Sequence, residues 1–198
     1  MVGKVNMFDF ASKENAREAM TGVYHENGFK IASDGKILFA VKSDYTEELE
    51  GKCLMRDGAV KELRYPNWKS IFPFNKNDYK ENEWSSIKLV CEDFSEWVKN
   101  NREIKREVYG KSKTWYDEWL VYCGYGNFFN ARLYDLFTKA TNEIYADEMM
   151  VKKESTSTPA FCKNELGIVL MMPMFLTEET AIQKMEDEEI DVFPITCE

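Results

Sequence analysis

Three Asx-Gly dipeptides, Asn27-Gly28, Asp34-Gly35 and Asp57-Gly58, constrain this chain more than any other feature, because each is flanked by apolar alternation. A tight hairpin turn needs positive φ, which glycine takes freely and Asn or Asp at little cost. The stretches "GVYHENGFKIAS", "ASDGKILFAV" and "CLMRDGAVKEL" therefore read as antiparallel hairpins. Ahead of them, "KVNMFDF" alternates as a strand would, and "KENAREAM" reads as a short helix capped by Ser12. The opening unit is β-α-β-β in character.

The second half repeats that logic. Pro66 and Pro73 frame "RYPNWKSIFP" as a short extended or single-turn segment, and the polar run "FNKNDYKENEW" follows as a linker. A boundary there divides the chain into residues 1–76, residues 77–176 and an acidic tail, residues 177–198. "SSIKLVCE" reads as a strand and "DFSEWVKNNREIKRE" as a helix capped by Asp93, with Phe94, Trp97 and Val98 on its apolar side. The aromatic-rich "VYGKSKTWYDEWLVYCGYG" reads as a hairpin. "NFFNARLYDLFTKATN" reads as a strand leading into a helix with Leu133, Leu136 and Phe137 inward. "EIYADEMMVKKE" and "LGIVLMMPMFL" are further strands, the second ending near Pro173, which cannot donate to a ladder. The whole predicts an α+β fold.

Composition excludes several functions. A single histidine, His25, would have to serve every Ser-His-Asp, Cys-His or two-histidine metal chemistry, and it sits before a turn, where a surface position is expected. The five cysteines lie far apart with no C-x-x-C pair, so neither zinc nor a disulfide framework is indicated. Acidic pairs such as Glu47-Glu48 and Asp117-Glu118 read as solvated faces rather than catalytic dyads. No catalytic residue, metal or cofactor is assigned. No apolar run approaches the roughly 18 residues of a membrane span, so a soluble cytoplasmic protein is expected.

Net charge is -9, yet basic residues are segregated. Lys99, Arg102 and Arg106 fall on one face of the second predicted helix, Arg132 and Lys139 on the third, and Lys13 and Arg17 on the first. Such stripes can meet phosphates despite an acidic total.

Four stretches, in this order, resemble the bacterial DNA polymerase III β subunit, the β sliding clamp. "MTGVYHENGFKIASDGKILFAV" is similar to its A-T-D-G-H-R-L-A region, and "RYPNWKSIFP" to its F-P-D-Y-R-R-V-L-P. "FFNARLYDLFTKA" is similar to its F-N-x-x-Y-L-x-D-x-L entry, and "IVLMMPMFL" to its closing V-x-M-P-M-R-L. Lys36 stands where the family often has histidine, and Ser70 where it often has arginine. The chain also offers about three β-α-β units, against the family's three domains of two units each.

The resemblance implies the DNA-clamp architecture, with repeated β-α-β-β units and helices on one face of antiparallel sheets. It implies a non-catalytic processivity factor, a homo-oligomer around double-stranded DNA that binds it without regard to sequence. It also implies a hydrophobic cleft where a polymerase or other replication protein docks a Q-L-x-L-F-type peptide. Carried over position by position, the cleft comprises Met20, Ser33, Gly35, Lys36, Leu38, Pro66, Ser70, Ile71, Leu170, Met172, Pro173 and Met174. A clamp-like adaptor that never encircles DNA is the alternative. In the tail, Glu189-Ile190-Asp191-Val192-Phe193 resembles the peptide such clefts accept, which suggests a tail docked in its own or a neighbour's cleft.

Overall fold

In the computed structural model, which describes residues 5–13, 15–77, 79–89, 120–123, 125–153, 155, 157–175, 179 and 192–194, the Asx-Gly turns form as their backbone requires. Strands β1 (Val23–Glu26) and β2 (Phe29–Ser33) join through Asn27 at φ 52° and Gly28 at φ 79°, both positive as a two-residue hairpin demands. β2 and β3 (Ile37–Lys42) join at Gly35, φ 91°, where the Asp34 carboxylate accepts the Lys36 and Ile37 N–H groups at 2.8 and 3.0 Å. The third hairpin pairs β4 (Cys53–Leu54) with β5 (Val60–Lys61).

Then follow β6 (Trp84–Lys88), β7 (Leu120–Tyr122), β8 (Phe128–Asn130), helix α1 (Ala131–Glu143), β9 (Glu148–Lys152), β10 (Ala160–Lys163), β11 (Gly167–Met171) and β12 (Val192–Pro194). One nine-stranded antiparallel sheet runs β5-β4-β1-β2-β3-β11-β10-β9-β6, and a three-stranded sheet runs β12-β7-β8. The large sheet crosses the sequence division after residue 76, because β3 pairs with β11 over five residues, from Gly167 opposite Val41 to Met171 opposite Ile37. With α1 packed on one face of the large antiparallel sheet, the architecture is α+β.

Strand alternation assigns two cores to the two faces of the large sheet. Ile37, Phe39, Val169 and Met171 face α1 and meet its buried Tyr134, Phe137 and Ala140. Ile31, Leu38, Ala40, Phe161 and Leu170 face the other way. There an irregular segment contributes Tyr65, Trp68, Phe72, Phe74 and Tyr79 as an aromatic cover. The Asn130 side chain caps α1, accepting the Arg132 and Leu133 N–H groups at 2.9 and 3.3 Å. Phe137 is buried as expected, while Leu133 and Leu136 are half-buried against the same core.

Three expectations are corrected. "KVNMFDF" is not a strand: Met7–Asp9 is a 3-10 turn, because the Asn6 side chain accepts the Phe8 N–H at 3.1 Å and closes the backbone locally. The helix expected over "KENAREAM" is a 3-10 segment, Asn15–Thr21, broken at Arg17 (φ -143°, ψ 98°). A continuous helix would hold positions 12 and 20 about 12 Å apart, whereas the Ser12 N–H reaches the Met20 carbonyl at 2.9 Å. Lys13 and Arg17 therefore share no helical face. His25, expected at the surface, is 1% exposed, since it points to the same side of β1 as buried Val23. The helix expected from Asp93, with Lys99, Arg102 and Arg106, lies outside the described residues.

β10 has no counterpart in the sequence reading. It turns into β11 at Asn164, whose side-chain oxygen accepts the Leu166 and Gly167 N–H groups at 2.9 and 3.2 Å. At Gly167 the packing is tight enough to exclude a side chain. A Cβ there would sit 2.7 Å from the Ala40 carbonyl oxygen and 2.8 Å from Ile144 Cγ2. Gly167→Ala is expected to destabilise the fold by about 1–3 kcal/mol through forced separation of β11 from β3. Urea unfolding should show a lower midpoint at unchanged slope; an unchanged midpoint would contradict this close approach.

Candidate functional site

The site begins where the β3–β11 ladder ends. Leu38 pairs with Leu170, Ile37 with Met171, and the Met172 N–H makes the next bond, to the Lys36 carbonyl at 2.8 Å. Pro173 has no N–H to continue the ladder, and the chain crosses to the small sheet, where the Met174 N–H donates to the Phe128 carbonyl at 2.7 Å. Met172 packs in the aromatic-side cluster with Leu38, Leu170 and Trp68. Met174 packs with Leu120, Tyr122 and Phe128. The Met-Pro-Met run thus bridges two sheets, with a flexible thioether left half-buried on each.

Beside it stands the turn after β2. Ser33 is buried, its hydroxyl donating to the Ile37 carbonyl at 2.8 Å and accepting the Gly35 N–H at 3.1 Å. Gly35 and Lys36 are exposed, and Met20 lies over the turn, its Cε 3.8 Å from where a Gly35 Cβ would be. On the other side, the 3-10 turn Trp68–Ile71 is anchored through Glu26. That carboxylate accepts the Trp68 Nε1–H at 2.9 Å and pairs with Lys69 Nζ at 2.9 Å. The anchor leaves Ser70 exposed and Ile71 40% exposed, with Pro66 half-buried. Tyr65 stacks on Tyr24 with ring centroids 4.8 Å apart, and burial pushes its phenol pKa above the usual value.

The twelve positions expected to line a cleft divide by burial. Leu38 and Leu170, 2% exposed, form a floor with Ser33; Met20, Pro66, Met172, Pro173 and Met174 are half-buried; Gly35, Lys36, Ser70 and Ile71 are exposed. Leu38, Leu170 and Met172 belong to one hydrophobic cluster with Trp68, Met20 lies against Gly35, and Met174 belongs to a separate small cluster. Trp68, Glu26 and Tyr65 were missed by sequence reasoning, although Trp68 stands inside the proline-framed segment that signalled the turn.

The basic positions are less coherent. On α1, Lys139 Nζ pairs with Asp135 at 2.6 Å and Arg132 is half-buried. Lys13 and Arg17 are exposed. On the opposite, aromatic side, Lys80 and Lys152 share Glu83 at 3.7 and 3.2 Å, and Lys163 Nζ lies 4.0 Å from the Phe74 ring centroid. Of the tail motif, Val192 and Phe193 are described. They run parallel to β7, Val192 opposite Leu120 and Phe193 opposite Val121, in the small sheet.

His25 has a structural place instead of a catalytic one. Its Nδ1 lies 3.4 Å from the Lys52 carbonyl and its ring meets Tyr45 edge-on at 5.0 Å. It lines a cavity of about 360 Å³ with Val23, Phe39, Leu54 and Glu143. Burial lowers its pKa below 6.5, so the unfolded chain binds the proton more readily. His25 therefore contributes stability that is present above pH 6.5 and lost as pH falls through its folded pKa. Unfolding free energy should fall on acidification below pH 6.5, and His25→Gln should flatten that slope; an equal slope in both would remove His25 as its source.

Among the described residues no His, Cys, Asp and Glu cluster could hold a metal ion, and no helix is long and apolar enough to cross a membrane. No protein-family model and no curated protein matches the chain. Solved structures do. The β sliding clamp of C. crescentus superposes with a TM-score of 0.55 at 12% identity, covering 85% of this chain and 61% of that one. A structure assigned as a DNA polymerase III β subunit from Eubacterium rectale gives 0.51 at 11% identity, covering 84% and 60%. The chain thus spans about three-fifths of the length of these clamps. With its antiparallel sheets, its helix on one face and these neighbours, the chain has the fold of the bacterial β sliding clamp.

Proposed function

We propose that this protein is a compact clamp-like processivity factor, which holds replication proteins through a short apolar peptide seated between the Ser33–Lys36 turn, the Trp68–Ile71 turn and the Met172-Pro173-Met174 crossover. The observation that carries this reading is the crossover itself. Two adaptable methionines flank a proline that ends backbone pairing, over a leucine floor and beside an exposed glycine turn. The C. crescentus clamp was solved with polyethylene glycol in a region assigned to tethering β-motifs, so a neighbour of this fold takes a flexible guest in such a region. Ligands of this kind are extended peptides with apolar anchors, of the Q-L-x-L-F type. Tethering needs no cofactor and no chemistry.

In the leading form a homo-oligomer encircles double-stranded DNA and meets phosphates without sequence preference. In the second form the protein is an adaptor that offers the cleft but never encloses DNA. That form is favoured by the Lys139–Asp135 pair and by the broken helix at Arg17, both of which weaken the described basic stripes. Solution mass together with retention on nicked circular DNA separates them. A ring predicts a defined oligomer that stays on circles, leaves after linearisation, and loads less well as salt rises. A monomer that binds the peptide and ignores DNA selects the adaptor, and a protein that binds neither ends both readings.

A further inference from the structure

We propose that the cavity between residues 5–8 and the α1-facing side of β1–β3 is a binding site for a small carboxylate with an apolar body. Strand register builds its floor. His25 pairs with Lys30 and Lys30 with Val41, so these three side chains stand in a row across β1, β2 and β3 on one face. Beside that row Leu54 pairs with Val23 and Phe39 with Ala32, which supply apolar surface on the same face. The cover is held from two sides. Glu143, the last residue of α1, accepts the Val5 N–H at 3.3 Å, while Arg56 donates to the Phe8 carbonyl and stands 5.2 Å from the Phe8 ring centroid. The space between floor and cover measures about 360 Å³, inside the range of roughly 300–1,000 Å³ typical of small-molecule pockets. Exposed Asn6 and Lys42 also line it, so solvent reaches it.

The lining selects the head group. Lys30 is half-buried, and neither it nor Lys42 enters an ion pair with a described residue. A half-buried ammonium without a counter-ion favours an incoming anion, and removal of water on binding strengthens the attraction. His25 is 1% exposed and its Nδ1 lies at the long distance of 3.4 Å from the Lys52 carbonyl, so the ring keeps capacity for a hydrogen bond to a guest. Glu143 is the one acidic lining residue, and its carboxylate already accepts the Val5 N–H. Two lysines and an imidazole outweigh that single carboxylate. A carboxylate head beside Lys30 and His25 meets a cation and a hydrogen-bonding ring at once, while a hydrocarbon body lies against Val23, Phe39 and Leu54. The site is separate from the peptide cleft. None of the twelve positions expected there lines this cavity, because Phe39 and Val41 face α1 whereas Leu38 faces the aromatic cover.

The test uses the full chain with octanoate, octanol and octylammonium, which share a body and differ in the head. Calorimetric titration should give saturable octanoate binding, at least tenfold tighter than octanol, with octylammonium weakest. Lys30→Met keeps the aliphatic stem and removes the charge, so it should weaken octanoate at least tenfold and leave octanol unchanged. Lys30→Arg should restore octanoate binding. Amide shifts on octanoate addition to the natural chain should centre on His25, Lys30 and Val41, a readout that stands even if a variant fails to fold. Equal affinity for the three compounds, octanoate binding indifferent to Lys30→Met, or no saturable octanoate binding in the millimolar range would overturn the proposal. Shifts centred on Met172 and Met174 would overturn it too, since they would place the guest in the peptide cleft.

Discussion

Trp68→Ala is expected to lower stability by about 3–5 kcal/mol, the range for truncating a large buried aromatic. Trp68 is 5% exposed, packs against Phe29 and Phe72 with ring centroids 6.1 and 5.9 Å apart, and donates to Glu26 at 2.9 Å. Truncation would open a cavity beside Phe29 and Phe72, in the cluster that also holds Leu38 and Leu170, and leave a half-buried carboxylate with Lys69 as its remaining partner. The turn that presents Pro66, Ser70 and Ile71 would lose its anchor, so peptide affinity should fall together with stability. Trp68→Phe should recover most of the packing but not the hydrogen bond, giving an intermediate urea midpoint. A loss below about 1 kcal/mol for the alanine variant, the level of an ordinary surface change, would show that the aromatic cover is not held by this residue.

Met172→Asp should separate binding from folding. Met172 is half-buried at the end of the ladder, so a carboxylate there can remain solvated in the free protein at a cost of about 1 kcal/mol. Once an apolar peptide covers it, the same carboxylate is desolvated without a partner, which costs far more. Peptide affinity should fall by at least about 30-fold, the effect of losing a buried anchor worth 2 kcal/mol or more. Met172→Leu should bind nearly as the natural chain does, since it conserves volume and apolarity. Fluorescence anisotropy with a labelled Q-L-x-L-F peptide measures all three. Equal affinities for the aspartate and natural chains would remove Met172 from the site.

What the sequence made legible was local. Asn27-Gly28, Asp34-Gly35 and Asp57-Gly58 announced their hairpins because turn chemistry is decided by the residues in the turn. The helix Ala131–Glu143 was equally readable from its 3.6-residue apolar pattern, though its Asn130 cap was not singled out. Pro173 marked the end of β11 for the same local reason. What escaped was set by distant contacts. The 12–20 segment has helical composition, but the Ser12–Met20 bond folds it back on itself. His25 looked like a turn-flanking surface residue, and only the parity of β1 in a nine-stranded sheet buries it. In β10, Cys162 and Phe161 face opposite cores, so both sides of a short strand are apolar and no alternation marks it.

The candidate site shows the same division. The Gly35 turn and the Met-Pro-Met run were visible as motifs, and the β3–β11 register sets them side by side, Met172 bonded to Lys36. The burial of Leu38 and Leu170 as a floor, the Glu26 anchor of the Trp68 turn and the passage of Met174 onto a second sheet are tertiary facts. No one-dimensional pattern encodes them.

The proposed working surface is the Met172-Pro173-Met174 crossover. Methyl-labelled methionines, followed by NMR while a Q-L-x-L-F peptide is titrated, test it most directly. Saturable shifts are expected at Met20, Met172 and Met174, with Met149 and Met171, both 0% exposed, unmoved. Shifts absent from Met172 and Met174, or spread evenly over all five, would contradict it.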